Sequence, residues 1–222
     1  MDVLDFMLSW VLMLNLAKDL INLSKFCADQ DLVPATSGNF SARISAQEVL
    51  ITASGKDKAN LTEADFLIVD LAGKIQSAGS AAAQESLKPS AETLLHTGLY
   101  EIFPAVKYVA HYHSTNSAII ARILYARAKK ALILDDFELL KAFTGVSSHD
   151  HQEIIPIFAN TQDIAKLAEQ TKNVLNPDSH AYLIAGHGTY IWAESLSALT
   201  RQIEALEALI KCYILEMQLT KL

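Results

Sequence analysis

Residues 106–127 read VKYVAHYHSTNSAIIARILYAR and pass from one secondary-structure period to another without a break. The first part, VKYVAHYH, has the β-branched and aromatic content of a buried strand. The second spaces its apolar residues by three and four, and Ser114 or Thr115 stands where a helix cap is needed. A strand that feeds directly into a helix commits a chain to a sheet with helices packed on it. The flanking sequence keeps the pattern. Residues 2–29 predict a helix, FSARISAQEVLITAS two short strands, and FLIVDLAGKIQSA a hairpin turning at Ala72-Gly73. KPSAETLLHTGLYEIF predicts a helix with Pro89 in its first turn and Ser90 as a cap. ALIL and QEIIPIF predict strands around a short helix in DFELLKAF. NTQDIAKLAEQTKNVL predicts a helix capped by Asn160 or Thr161. AYLIAGH and GTYIWA predict strands meeting at Gly186-His187-Gly188, and a long helix runs from Glu194 to about Gln218. Strands early and a strand–helix alternation later predict an α/β chain, a mixed sheet covered by helices on both faces. No repeat or linker composition divides the 222 residues, which predicts a single domain over 1–222.

Charge and composition exclude several function classes. The formal net charge is −7 and charged residues make up 19% of the chain, so the clustered Lys and Arg of a nucleic-acid surface are not expected. The most apolar stretch, residues 3–14, is too short for a bilayer and carries Asp5; it predicts an amphipathic helix in the core or at a subunit contact. It has neither a basic leader nor a cleavage motif, so a signal peptide is not expected. Cys27 and Cys212 are far apart and not at metal-binding spacing. They predict free thiols, a reducing compartment and a cytoplasmic protein.

Alternate residues of a strand share a face, so His111 and His113 point one way and Tyr112 the other. They stand at the carboxyl end of a strand, where α/β sheets usually place their sites. Two imidazoles with a third from His187, in its G-H-G corner, would make a three-nitrogen zinc site with a position left open. A bare H-x-H also fits surface or hydrogen-bonded histidines. A second H-x-H, His149 and His151, lies in a polar loop and reads as solvated or as a pocket wall. Glu92 and Glu138 each sit in a predicted first helical turn, where the macrodipole alone favours a carboxylate. The stretches ATSGNFS, TASGKDK and KPSAE offer hydroxyls, amides and turn N–H groups suited to an anion, and turns are also made of such residues.

Taken together, VPATSGNFSARIS, ITASGKDKANLTEADFLIVD, KPSAETLLH, HYHSTNSAIIARI, FELLKAFTGV, PIFANTQDI and AGHGTYIWA resemble the class II aldolase/adducin family. The resemblance runs from about Lys18 into the C-terminal helix. PATSGNFSARIS, SAETLLH, ELLKA and PIFANTQD resemble its dehydratases of methionine salvage more than its sugar-phosphate aldolases. It implies a three-layer α/β/α sandwich around a mixed, mostly antiparallel sheet, assembled as a four-fold tetramer with sites near subunit contacts. It implies one Zn²⁺ per subunit on His111, His113 and His187, with Glu92 and Glu138 as acid/base residues. It also implies phosphate binding by Asn39, Ser54, Gly55 and Ser90; Ala91 stands where aldolases often have a second serine. The implied reaction is dehydration of a phosphorylated methylthio-ketopentose. The alternatives are a fuculose- or rhamnulose-phosphate aldolase and a non-catalytic adducin-like scaffold.

Overall fold

A computed structural model of the chain describes residues 3–76 and 87–220. Its centre is one eight-stranded sheet: β1 (Asn39–Arg43), β2 (Glu48–Thr52), β3 (Phe66–Asp70), β4 (Tyr108–Tyr112), β5 (Ala131–Leu134), β6 (Glu153–Phe158), β7 (Ala181–Ile184) and β8 (Gly188–Ala193). Their spatial order is β3-β2-β1-β4-β8-β7-β6-β5. All neighbours are antiparallel except β6 and β7. One face carries α1 (Val3–Asp29), α3 (Thr115–Ala126) and α5 (Leu196–Leu219). The other carries α2 (Thr93–Ile102) and α4 (Ile164–Val174). The three layers and the mixed sheet are those the sequence predicts.

The two faces of β4 decide where its side chains go. Tyr112 joins the core under α1, α3 and α5, while Val109 joins the core under α2 and α4. His111 shares the Val109 face by the two-residue period of a strand. Across the sheet His111 pairs with Asn39 of β1 and with Tyr190 of β8. Its ring stacks on Tyr190 with centroids 4.1 Å apart.

Several local elements differ from the sequence expectation. The helix expected from Pro89 begins at Thr93, because residues 88–90 lie extended beside β2: Ser54 N–H donates to Lys88 O at 2.9 Å and Pro89 bridges Ala53. Ser90 therefore does not cap α2; its Oγ accepts from Glu92 N–H at 3.2 Å. The helix expected from Asn160 starts at Ile164, capped by Asp163 through Lys166 N–H, and α3 is capped by Ser114 as predicted. DFELLKAF supplies a five-residue 3₁₀ turn, Glu138–Ala142. The hairpin after β3 turns at Ala72-Gly73 and returns through a single bridge, Val69 to Ile75; its continuation from Ser77 lies outside the described residues. The helix at the start packs on the sheet through Leu16, Leu20, Leu23 and Cys27, while Met7, Trp10, Val11 and Leu12 are exposed. Cys27 and Cys212 are unpaired. Among the described residues no helix is long and apolar enough to cross a membrane.

Candidate active site

His111, His113 and His187 converge although the first and last are 76 positions apart in the sequence. Their ring nitrogens lie within 4.8 Å of one another. The first two arrive on the end of β4, where His113 N–H donates to Leu32 O at 2.7 Å. The third arrives on the tight turn between β7 and β8, held by Gly186 N–H to Ala118 O at 3.1 Å. Gly186 has φ +69°, which suits glycine. Gly188 is required by contact: a Cβ there would lie 2.2 Å from Tyr112 O and 3.1 Å from the His111 ring.

His111 is fully buried, and its Nδ1 donates to Thr189 O at 3.0 Å. That bond fixes the tautomer, so Nε2 turns a lone pair into the cluster. Burial and the neighbouring His113 and His187 hold His111 well below its ordinary value. Burial and His187 lower His113 to about 4. Both rings are thus neutral near pH 7, the form that ligates a metal.

Glu92 completes the cluster. It sits in the cap position of α2 without capping it, so its carboxylate is free for another use. Oε2 lies 3.4 Å from His111 Nε2 and Oε1 3.2 Å from His187 Nε2. Oε1 is buried with no hydrogen-bond donor. A buried carboxylate oxygen without a donor, set against a ring nitrogen of His187, is a costly arrangement without a cation. The donor set therefore fits a divalent metal with nitrogen preference.

Beside the cluster is a cavity of about 180 Å³ that Glu92 and His113 share. Asn39, Ser54, Gly55 and Ser90, the residues predicted to bind phosphate, all line it. Lys58 adds a charge to its wall. That side chain is 3% exposed, and its Nζ donates to Thr36 O at 3.0 Å and Lys56 O at 2.7 Å. Lys56 turns away to Asp65, 2.8 Å distant. Turn N–H groups, hydroxyls and a fixed ammonium are donors of the kind an anion accepts from.

A family model for the class II aldolase and adducin N-terminal domain matches residues 18–214. The chain belongs to the class II aldolase and adducin family. Among the curated members it is similar to the methylthioribulose-1-phosphate dehydratase of Pseudomonas syringae pv. syringae, 45% identical over 89% of this chain and 93% of that one. It is 40% identical to the Marinobacter nauticus protein of the same name, over 92% and 95% of the two chains. Of the solved structures, the L-fuculose-1-phosphate aldolase of Thermus thermophilus superimposes with a TM-score of 0.71 at 21% identity, covering 95% of this chain and 99% of that one. That likeness concerns the fold.

One residue that the resemblance to this family assigns to the site is elsewhere. Glu138 follows β5, which runs antiparallel to β6, while β6 and β7 run parallel to β4. The end of β5 is therefore at the opposite end of the sheet from His111. It is also four strands away, about 19 Å at the usual strand spacing. There Glu138 is exposed and pairs with Lys141 at 2.6 Å. Within one chain, Glu138 is not brought to the histidines.

The same far end holds a larger cavity, about 640 Å³, lined by His151, Glu153 and His180 among others. It is distant from the histidine cluster, and size does not make it the site. His151 of the second H-x-H is one of its walls, while His149 is exposed 3.4 Å from Asp150. Glu153, 1% exposed, accepts from His151 Nε2 at 2.9 Å and His180 Nδ1 at 3.1 Å. His180 Nε2 donates to Thr144 O at 2.9 Å, so both ring nitrogens donate and the ring is an imidazolium. Burial alone would lower its pKa; the hydrogen bond and charge of Glu153 outweigh that and raise it. A raised pKa stabilises the fold below the unfolded value near ~6.5 and loses that contribution as pH rises through the folded value. Glu153→Gln is expected to cost about 3 kcal/mol in urea unfolding at pH 6, the scale for breaking a buried pair. The gap between wild type and variant should narrow as pH rises above ~6.5. A gap that widens with pH would contradict the pair.

Sequence reading missed His96, Ser41 and Tyr100, which are buried behind Glu92 and linked to it by hydrogen bonds through Asn39. The available signal was spacing: in ETLLH, His96 follows Glu92 by four, one turn into the helix whose cap position Glu92 holds.

Proposed function

We propose that the chain is a zinc-dependent hydro-lyase that dehydrates 5-methylthioribulose 1-phosphate to 2,3-diketo-5-methylthiopentyl 1-phosphate in methionine salvage. Its cytoplasmic location, one ion per subunit and four-fold assembly belong to the same reading. The observation that carries it is the Glu92 carboxylate at the edge of a small polar cavity, its unpartnered Oε1 3.2 Å from His187 and its Oε2 3.4 Å from His111. The names of its relatives supply the substrate.

The substrate's phosphate enters the cavity that Asn39 lines, accepting from the Ser54 and Ser90 hydroxyls and the Gly55 turn, near the Lys58 charge. Anchored there, the ketone end faces the histidines and the next carbon faces Glu92. His111, His113 and His187 would hold the cation, which would supply Lewis-acid stabilisation of negative charge developing on the ketone. Glu92 removes the proton beside the ketone with its unpartnered oxygen. Loss of hydroxide from the following carbon needs an acid, because hydroxide is a poor leaving group. Glu138 gives that proton, leaving water and an enol that tautomerises to the diketone. Since Glu138 stands at the wrong end of its own sheet, it serves the site of a neighbouring copy.

Incubation with methylthioribulose 1-phosphate should give the diketone, and fuculose or rhamnulose 1-phosphate should give no dihydroxyacetone phosphate. The reverse result would make the protein an aldolase. No turnover with no zinc uptake would favour a scaffold.

A further inference from the structure

Behind Glu92 runs a buried chain of hydrogen bonds whose direction can be assigned. Asn39 Nδ2 lies 2.8 Å from Glu92 Oε2 and 3.3 Å from Ser90 Oγ. A carboxylate only accepts, so the NH₂ end of Asn39 faces Glu92 and its carbonyl end faces away, toward Nε2 of His96. The carbonyl also only accepts, so His96 carries its proton on Nε2. Nδ1 of the same ring lies 2.7 Å from Ser41 Oγ. In a neutral ring that nitrogen is a lone pair, so the Ser41 hydroxyl donates to it. Tyr100, whose hydroxyl is 2.9 Å from Ser41 Oγ, then donates to Ser41. His96 is fully buried, and burial with the nearby His111 lowers it to about 3, which keeps it neutral. Every donor in the series, Tyr100 to Ser41 to His96 to Asn39, points toward the carboxylate.

We propose that His96 is a positioning residue, whose Nε2–H holds the Asn39 amide with its NH₂ end on Glu92 and Ser90, and that Ser41 and Tyr100 hold His96 in the tautomer this requires. The two ends of an amide have nearly the same shape, so packing cannot choose between them. The hydrogen-bond partners choose. A flipped Asn39 would press a carbonyl oxygen against a carboxylate oxygen and withdraw a donor from Ser90. The inference rests on Glu92 acting as the base. It adds a residue that touches neither substrate nor cation.

Two measurements test it. In wild-type protein with ¹⁵N-labelled histidine, His96 should appear as a neutral ring protonated at Nε2; an Nδ1–H ring or an imidazolium overturns the proposal. In kinetics, His96→Leu should retain its metal and lose about ten- to a hundredfold in kcat, the scale of outer-shell partners. His96→Gln, whose amide can place an N–H near the Nε2 position, should recover most of that loss. Full activity in His96→Leu, or no recovery in His96→Gln, would overturn it. Should His96→Leu fail to fold, the tautomer in wild type still decides. A wild type with no dehydratase activity sinks the functional reading alone, since the ring is read without substrate.

Discussion

His113→Ala is expected to purify folded, to hold less than one equivalent of zinc, and to lose about a thousandfold or more in turnover of methylthioribulose 1-phosphate. The size follows from the several kcal/mol that a bound cation contributes at a developing negative charge, at about 1.4 kcal/mol per tenfold. The fold survives for a structural reason. His113 is beyond the last residue of β4, and its hydrogen bond to Leu32 O comes from the backbone, which alanine keeps. The cores on both faces of the sheet are built by other residues. Circular dichroism, metal analysis and an assay on one preparation check all three parts. A variant with full zinc and normal turnover would remove His113 from the ligand set.

Glu138→Gln should bind zinc and substrate normally and turn over roughly a hundredfold or more slowly, the usual worth of a general acid. The exposed position of Glu138, far from the histidines of its own chain, adds a sharper expectation. Glu138→Gln and His113→Ala are each expected to be nearly inactive. If the acid is contributed by a neighbouring copy, subunits of the two variants, mixed and allowed to reassemble, regain activity, because some sites then take intact histidines from one chain and an intact Glu138 from the other. Measuring the rate before and after subunit exchange tests this directly. Activity that stays at the level of the separate variants would place all catalytic groups in one chain, which the strand order argues against. Full activity in Glu138→Gln alone would move the acid role to another residue.

What the sequence revealed and what it hid divide along a physical line. The pair His111 and His113 was legible because a two-residue period forces both onto one face. His187 was legible because its glycines announce a corner; Gly188 proves to be where the backbone passes against Tyr112. Asn39, Ser54, Gly55 and Ser90 were legible as turn chemistry suited to an anion, and one cavity joins them. Glu138 was legible as a residue and not as a position. Which end of the sheet it occupies follows from the directions of β4, β8, β7, β6 and β5, a chain of non-local pairings that no local pattern encodes. Helix starts failed for local reasons: Ser90 is a good cap, but Pro89 is drawn along Ala53 and the chain enters its helix later, while Asn160 yields to Asp163, whose side chain accepts from Lys166 N–H. The direction of the bonds behind Glu92 was hidden until β1 was placed beside β4, which brings Asn39 level with His111.

The convergence of the three imidazoles on one ion is best tested by zinc K-edge X-ray absorption on protein given a single equivalent of zinc. The account predicts a first shell dominated by imidazole nitrogen at ~2.0 Å with light oxygen ligands and no sulfur. Loss of imidazole scattering should follow substitution of His111, His113 or His187. A spectrum with thiolate ligands, or a first equivalent of zinc that stays in solution, would contradict it.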